Sequence, residues 1–506
     1  MTVTMADPAE KPSLIFDGAD WDFETLQRAL DAIEDVALND LELDIYANQI
    51  EIISSEQMLD AYSSHGMPLM YKHWSFGKHF ARDQMNYQKG YSGLAYEIVI
   101  NSDPCIAYLM EENTMTMQAL VMAHACYGHN HFFKNNYLFR QWTDAEGILP
   151  YLDFAKKYIA RCEDEYGLAE VERILDAAHA LMDQGVFRYN RPPRLSAEDR
   201  LAKLAARAKH EHETFNDIWR TLPNTEEDAE DAEERVAEVR HIKLPEENLL
   251  YFIEKASPIL RPWERELVRI VRNVAQYFYP QKQTKVMNEG CATFTHHYIM
   301  NELYARGQIS EGAIMEFLHS HSSVVFQPDF DDPRYSGINP YALGFAMMED
   351  IKRICEDPKD EDRELFPDLA GSKDWRRALK DAWANFRDES FILQYLSPTV
   401  MRQFRFFSIA DDASENFLEV GAIHNMLGFR RVRERLASMY DLGMHEPNIQ
   451  VTGADLEGDR VLHLRHETHQ GRTLSPKTKD AVLYHIGTLW GHDVRLEESG
   501  AEDGGG

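Results

Sequence analysis

Apolar residues recur every three or four positions along much of this 506-residue chain. The segments with this period are 21–43, 115–138, 153–166, 168–182, 197–219, 246–279 and 288–306. The spacing is typical of amphipathic helices that bury one face, and few segments alternate with the period of two that marks half-buried strands. A length of this size exceeds one ordinary core, so the sequence predicts a mainly α-helical protein with at least two domains.

The pattern changes near residue 412. We predict a large helical domain over 1–411 and a small α+β domain over 412–506, which ends in the flexible tail SGAEDGGG. Strands are predicted at 417–423, 448–453, 460–466 and 493–496, with helices at 430–440 and 477–490. The order βαββαβ indicates a ferredoxin-like arrangement for this second domain.

Three stretches rich in Pro, Gly or acidic residues interrupt the helical pattern. The run Arg191-Pro192-Pro193-Arg194 predicts a boundary or long loop at 186–196, and a second soft region covers 221–243. The segment 324–340 predicts an extended loop ahead of a helix that begins near Tyr341. Loops of this length often serve a site.

Composition and charge exclude several classes of protein. The chain has 85 acidic and 53 basic residues, a net charge of −32, and such a field repels nucleic acid. The five cysteines form no CxxC pair, which argues against a disulfide framework and a thiolate zinc cluster and favours a cytoplasmic location. No uninterrupted apolar run reaches about 18 residues, so we expect no membrane span.

Two histidines lie five residues apart in the segment HACYGHNHFF, which covers 124–133. Residues five apart on a regular helix point about 140° from each other, so His124 and His129 would face different ways. One wide turn with i to i+5 hydrogen bonds restores the facing, and Gly128 would permit that distortion. A shared ligand therefore requires a π-bulge here.

A distant carboxylate would complete a metal site. Glu289 lies near the start of a predicted helix in the segment NEGCAT, 288–293. Two imidazoles and one carboxylate are the protein ligands of an open zinc site. We therefore predict that a divalent metal, with zinc expected, binds to His124, His129 and Glu289. The residues predicted to orient these ligands from a second layer are His131, His296, Asn130 and Asn288.

Two other interpretations of these histidines stay open. A buried histidine on an apolar helix is usually a core residue, although three histidines within eight positions would bury several titratable rings at a desolvation cost. Asp176 and His179 have the i, i+3 spacing of a di-iron carboxylate bundle, for which Glu111, Glu112 and Glu172 are imaginable companions. No GxxxxGK[ST] loop or GxSxG elbow supports nucleotide binding or serine hydrolysis.

Five motifs in order resemble the SpoVR family, which is named for stage V sporulation protein R and linked to spore cortex formation. They are HWSFGK at 73–78, NSDPCIAY at 101–108, HACYGHNHFFKNNYLF at 124–139, NEGCATF at 288–294 and NPYALGF at 339–345. The acidic composition and the HACYGH form look more like the branch found in non-sporulating Gram-negative bacteria. The family name describes a phenotype rather than a reaction.

The resemblance also implies partners. Genes of that branch tend to sit beside those of a PrkA-type serine protein kinase and a von Willebrand A-type protein. A link to sporulation or to stationary-phase stress follows by the same analogy. The alternative to a catalytic role is a regulatory adaptor in a PrkA-type kinase module, which would act through the C-terminal α+β domain.

A second resemblance concerns zincin-like metallopeptidases, some of which carry a His-Glu-x-x-x-Gly-His helix and a later Glu-Gly-Trp-Ala helix. The residues that fall on this pattern are His124, Gly128, His129, Glu289, Gly290 and Ala292. Ala125 occupies the place of the catalytic glutamate, and Cys291 replaces the tryptophan. Hydrolysis of an amide or peptide-like bond would need another proton acceptor, for which Tyr127, Glu111 and Glu112 are the candidates.

Overall fold

The computed structural model describes residues 14–63, 70–74, 97–188, 242, 244–329, 331–406, 408–410, 419–422, 425–469 and 471–499. Several predicted features lie outside these residues. They are the helix at 197–219, the soft region at 221–243 except residue 242, most of the boundary at 186–196, the end of the HWSFGK motif and the tail from residue 500.

Helices make up most of the described structure. They are α1 Phe23–Asp35, α2 Ser55–Ser63, α3 Met115–Met122, α4 Asn130–Asn135, α5 Tyr137–Trp142, α6 Ile148–Tyr166, α7 Leu168–Ala180, α8 Leu249–Ala256, α9 Pro262–Gln283, α10 Lys285–Ala305, α11 Glu311–Val324, α12 Pro340–Glu356, α13 Asp360–Leu365, α14 Trp375–Asn385, α15 Asp388–Tyr395, α16 Pro398–Gln403, α17 Met426–Ser438, α18 Leu442–His445 and α19 Pro476–Trp490. Two π-helical segments, Val36–Asp40 and Ala123–His129, continue α1 and α3. Within the described part of the chain, none of these helices is both long and apolar enough to cross a bilayer. The prediction of a mainly helical protein is confirmed.

Helix boundaries follow local sequence signals. Asn339 caps α12 by accepting a hydrogen bond from the backbone N–H of Tyr341, and Pro340 occupies the first helical position. The described residues from Val325 to Asn339 form no helix or strand, which agrees with the predicted loop. The predicted helix 246–279 is instead two helices, α8 and α9, because Pro258 disfavours helical backbone at the residue before it.

Three strands near the N-terminus form a sheet that the helical period does not predict. They are β1 Asn48–Ile53, β2 Glu97–Ile100 and β3 Cys105–Met110. The central strand β3 pairs in parallel with β1 and antiparallel with β2. Its sequence CIAYLM is buried along nearly its whole length, so it lacks the alternation by which a strand is recognised.

The predicted C-terminal strands and helices form, but the described strands do not have the predicted ferredoxin-like arrangement, because they lie in two separate sheets. The strands are β4 Ser408–Ala410, β5 Glu419–Ala422, β6 Asn448–Ala454, β7 Leu462–Glu467 and β8 Val494–Ser499. Among the described residues, β6, β7 and β8 form one three-stranded sheet, with β7 in the centre. The strand β5 pairs instead with β4 in a separate two-stranded sheet. The first strand of the predicted βαββαβ order therefore has its partner upstream, before residue 412.

Two large hydrophobic cores, with two smaller clusters beside them, organise the described residues. The first joins α1, the π-helical segment Ala123–His129, α10 and α12, together with α14 to α17. The second joins α6 to α9 with β6, β7 and α19. In this second core, Ser257 Oγ donates a hydrogen bond to the carbonyl of Leu489 over 2.7 Å, and Trp490 is fully buried. The C-terminal sheet thus packs against the helical part through α19.

Helices α10 and α12 approach each other backbone to backbone where glycines meet. A Cβ on Gly344 would overlap the carbonyl oxygen of Val286 and would lie 2.7 Å from the Cα of Gly290. Because backbone atoms cannot move aside as a flexible side chain can, this spacing depends on the absence of a side chain.

We predict that Gly344→Ala destabilises the protein by roughly 1–3 kcal/mol, the range for overpacking a well-packed core. Gly487→Ala in α19 is the matched control, because outside the glycine's own stretch of helix no described atom lies within 4 Å of the added Cβ. That control is expected to gain about 0.5–1 kcal/mol from helix propensity. Urea denaturation followed by circular dichroism measures both, and equal midpoints for the two variants would contradict the prediction.

Candidate metal centre

The π-helical segment Ala123–His129 brings two imidazoles together. Its wide turn aligns side chains five residues apart, and the rings of His124 and His129 have centroids 4.6 Å apart with planes at 86°. The predicted π-bulge is confirmed. The part played by Gly128 differs from the expected one, because a Cβ there would overlap the backbone of Ala292 in α10. Glycine permits this close approach rather than a distorted backbone.

The close approach of α10 places a carboxylate against both rings. Glu289 Oε2 lies 3.6 Å from His129 Nε2 and 3.8 Å from His124 Nε2. The structure thus brings together the three side chains that the sequence predicts as ligands. Donor atoms around a tetrahedral zinc ion lie about 3.3 Å apart, given bonds of about 2.0–2.1 Å, so these separations are close to those of a coordination site.

A fourth side chain, which sequence reasoning missed, reaches the same place from β2. Glu97 Oε1 lies 3.2 Å from His124 Nε2. The potential ligand atoms of Glu97, His124 and His129 all lie within 4.8 Å of one another, the only such group of three found among the described residues. Glu97 begins a short strand that pairs with the next strand, β3, and its distance along the chain from His124 hides the contact. Only its acidic side chain ahead of the apolar run IVI could have suggested it.

The donor set fits a divalent cation. Glu289 Oε2 is buried and has no hydrogen-bond partner among the described residues. A buried carboxylate oxygen without a donor costs free energy, and an ion between the two imidazoles would satisfy it. Two imidazole nitrogens with carboxylate oxygens are donors that suit zinc and other first-row metals.

Two of the predicted second-layer residues orient the rings. Asn288 Oδ1 lies 2.9 Å from His129 Nδ1, so it accepts the Nδ1–H and leaves Nε2 facing Glu289. His296 Nδ1 lies 2.8 Å from His124 Nδ1. Both contacts come from α10, the helix that carries Glu289. One helix therefore supplies a carboxylate and the groups that fix both rings.

The other two predicted second-layer residues turn away from this centre. Asn130 Oδ1 accepts a hydrogen bond from the backbone N–H of Tyr46. The side-chain NH2 of Asn130 donates to the carbonyl of Tyr46 and to Asn48 Oδ1. His131 Nδ1 lies within hydrogen-bond distance of the backbone of Asp44. These two side chains anchor the chain that enters β1, because they lie on a different face of the helix from His124 and His129.

The three candidate proton acceptors also lie elsewhere. The Tyr127 hydroxyl donates to Glu34 Oε2 over 3.2 Å, which joins the π-helical segment to α1. Glu112 Oε1 accepts the backbone N–H of Ser55, and Glu111 is exposed at the end of β3. None of the three belongs to the group formed by the two imidazoles, Glu97 and Glu289.

The di-iron grouping does not assemble in the described residues. Asp176 Oδ1 lies 2.9 Å from His73 Nε2, and His179 stacks on His73 with ring centroids 4.5 Å apart. The Tyr71 hydroxyl lies 2.6 Å from His179 Nε2. Asp176 and His179 therefore meet a histidine and a tyrosine rather than the exposed glutamates at the end of β3.

Burial and charge set the protonation of the centre. Burial raises the pKa of Glu97 to about 7, an effect that His124 opposes. Burial lowers the pKa of His129 to about 4, although Glu289 opposes this shift. Burial also disfavours the charged form of His124, but Glu97 and Glu289 outweigh it and raise its pKa. His129 is thus neutral at pH 7, with a lone pair available on Nε2, and Glu97 can gain or lose a proton there.

A second layer of histidines extends from the centre towards α11 and α12. His296 Nε2 lies 3.0 Å from His321 Nδ1, and the ring of His321 lies 4.7 Å from that of His297. Burial lowers the pKa of His296 well below its usual value and those of His297 and His321 to about 4. These rings are therefore neutral near pH 7.

Comparisons with known proteins cover nearly the whole chain. The family described as SpoVR like protein matches residues 20–445, and the one described as SpoVR-like C-terminal domain matches residues 447–501. The chain is 58% identical over 488 residues to the uncharacterized protein YcgB of Escherichia coli strain K12, with 96% of this chain and 94% of that protein covered. No solved structure matches. The resemblance carried by the five motifs is confirmed.

We predict that stability falls as pH decreases from about 6.5 to about 4, because His297 titrates near 6.5 when unfolded but near 4 when folded. The unfolded chain takes up the proton first, so acid favours unfolding in this window. The variant His297→Asn should lose part of this dependence in urea denaturation across the range. His319→Asn, an exposed position on the neighbouring α11, should keep the wild-type slope. An unchanged slope in His297→Asn would contradict the prediction.

Proposed function

This chain belongs to the SpoVR family, and we propose that it is a zincin-like metal-dependent hydrolase of amide or peptide-like bonds. Its ligands are His124, His129 and Glu289, and the expected ion is zinc. The observation that carries the proposal is the convergence of these three side chains on one point, with Glu289 Oε2 buried there without a hydrogen-bond donor.

The two carboxylates receive different roles. Glu289 Oε2 lies at similar distances, 3.6 and 3.8 Å, from both imidazole nitrogens, as a third ligand would. Glu97 Oε1 lies 3.2 Å from His124 Nε2, the Glu97 carboxylate also lies within 4.8 Å of a His129 ring nitrogen, and burial raises the pKa of Glu97 to about 7. A carboxyl group with that pKa exchanges a proton near neutrality, which is the property of a general acid–base group. We therefore assign Glu289 to the ion and Glu97 to proton transfer.

This assignment supplies the carboxylate that the zincin-like pattern lacks. Ala125 is buried where that pattern has its catalytic glutamate, whereas Glu97 enters from a strand. A bound divalent ion would act as a Lewis acid towards a substrate carbonyl oxygen. Glu97 would take a proton from the attacking nucleophile and return it to the leaving amine. Asn288 would hold His129 in the required orientation throughout.

We predict that His129→Ala and Glu289→Ala abolish metal retention. Loss of a direct ligand should weaken binding by more than the roughly 10- to 100-fold typical of an outer-shell change. The measurement is elemental analysis of purified protein for zinc, iron and manganese, followed by zinc titration. His319→Ala, exposed on α11, is the control and should retain the wild-type content. Stoichiometric metal in both ligand variants would eliminate this site.

A separate prediction tests the role of Glu97. Glu97→Gln should keep its metal but lose hydrolytic turnover by about 10²- to 10⁴-fold, the usual contribution of a general acid–base group. Release of new amino groups from a mixed peptide library measures turnover. Glu111→Gln, at an exposed glutamate, should behave as the wild type.

Three outcomes of that experiment carry different meanings. Loss of metal from Glu97→Gln would make Glu97 a ligand instead. Full turnover with retained metal would remove it from the reaction. Metal in the wild-type protein without any turnover would refute hydrolysis and leave the structural metal that a regulatory adaptor would have.

A further inference from the structure

A cavity of about 780 Å³ follows one face of α12, on a part of the molecule that the metal centre does not use. The helix contributes Ala342, Phe345, Ala346, Glu349, Asp350 and Arg353, which recur at the spacing of a single helical face. The opposite wall comes from the loop before α12 and from the end of α16. The volume is in the range of small-molecule sites.

Asp350 leaves an acceptor without a partner in this wall. The residue is only 6% exposed, and its Oδ1 accepts a hydrogen bond from Arg353 Nε over 2.8 Å. Its Oδ2 is buried and has no hydrogen-bond partner among the described residues. The other nitrogens of Arg353 bind Asp362 over 2.7 and 3.1 Å. Two carboxylates therefore share one guanidinium, and negative charge remains beside the cavity.

Glu349, one position before Asp350 on α12, is a second acidic residue that lines the cavity. Its Oε1 lies 3.8 Å from His297 Nδ1, but that ring is neutral near pH 7 because burial lowers its pKa to about 4. Burial raises the pKa of Glu349, whereas a nearby positive charge lowers it, as that of Lys352 does in part, so a bound cation would favour the carboxylate form. At the mouth of the cavity, Asp329 is already paired with Arg405 over 3.0 Å. Glu349 and Asp350, the two acidic residues of α12 that line the cavity, are thus the ones placed to meet a ligand.

Aromatic rings provide the rest of the lining. Phe345, Phe404, Phe406 and Tyr335 contribute to the cavity, and the rings of Phe404 and Phe406 lie 5.2 Å apart. Aromatic faces attract cations through their quadrupole and also cover apolar chains. Acidic acceptors beside aromatic rings are complementary to an alkyl chain that ends in a positive charge.

We propose that this cavity binds an organic cation, a primary ammonium group on an alkyl chain. Asp350 Oδ2 and the carboxylate of Glu349 accept hydrogen bonds from the ammonium, and the aromatic rings contact the chain. Binding of the cation does not depend on a metal at the candidate centre. Along α12 the cavity lining begins at Ala342, the residue after Tyr341, whose ring lies 6.4 Å from that of His124.

Isothermal titration of the full chain with cadaverine tests the proposal. Asp350→Asn and Glu349→Gln keep the shape of the side chain and remove its charge, so each should weaken binding by about tenfold or more, as expected for a charge-assisted hydrogen bond. Glu356→Gln, exposed on the same helix, is the matched control and should bind as the wild type. The neutral diol analogue of cadaverine should bind at least about tenfold more weakly than the cation.

Equal binding of the cation and the diol, no binding of cadaverine, or wild-type affinity in both charge-removing variants would overturn the proposal. Spermidine and N-acetyl-lysine amide distinguish the source of the ammonium: tighter binding of the first assigns a free polyamine, and tighter binding of the second assigns a lysine side chain. Repeating the titration after chelator treatment and after zinc addition separates this result from the metal proposal, because cation binding should persist in both states.

Discussion

Helix α10 packs closely against the π-helical segment Ala123–His129 on one side and against α12 on the other, and these two contacts determine the geometry of the candidate metal centre. Gly128 lets the π-helical segment approach the backbone of Ala292, and Gly290 meets Gly344 of α12 in the same way. Helices packed this closely cannot slide without backbone overlap, so their register is set. That register places Glu289 beside both imidazoles, since it lies about one turn before Ala292. The candidate metal centre is therefore a consequence of how the core packs.

Burying these four side chains would cost free energy if they served only to fill the hydrophobic core. His124 and His129 are almost fully buried, and Glu97 and Glu289 add two carboxylates within 4 Å of an imidazole nitrogen. Desolvating these groups disfavours every charged form, and apolar residues of similar volume would pack at less cost. Strongly shifted pKa values with specific charged partners mark functional sites more often than purely structural ones. The arrangement favours a role in binding over a role in stability.

The sequence predicts the local part of this site and not the long-range part. The spacing of His124 and His129 demands a wide turn, and Glu289 follows from a recognisable helix start, because both signals lie within a few residues. Glu97 could not be predicted, since its position depends on β2 pairing with a strand whose apolar sequence shows no alternation. The same limit explains β5, whose pairing with β4 no local pattern reveals.

Helix α12 carries groups at both proposed sites. Its first turn places Tyr341 near His124, and later turns line the acidic cavity with Glu349 and Asp350. A shared helix does not by itself couple two sites, because coupling requires an element with two arrangements whose balance both ligands shift. The glycine contact of Gly344 with α10 argues for one arrangement. The two sites are thus expected to share a rigid scaffold and to bind independently.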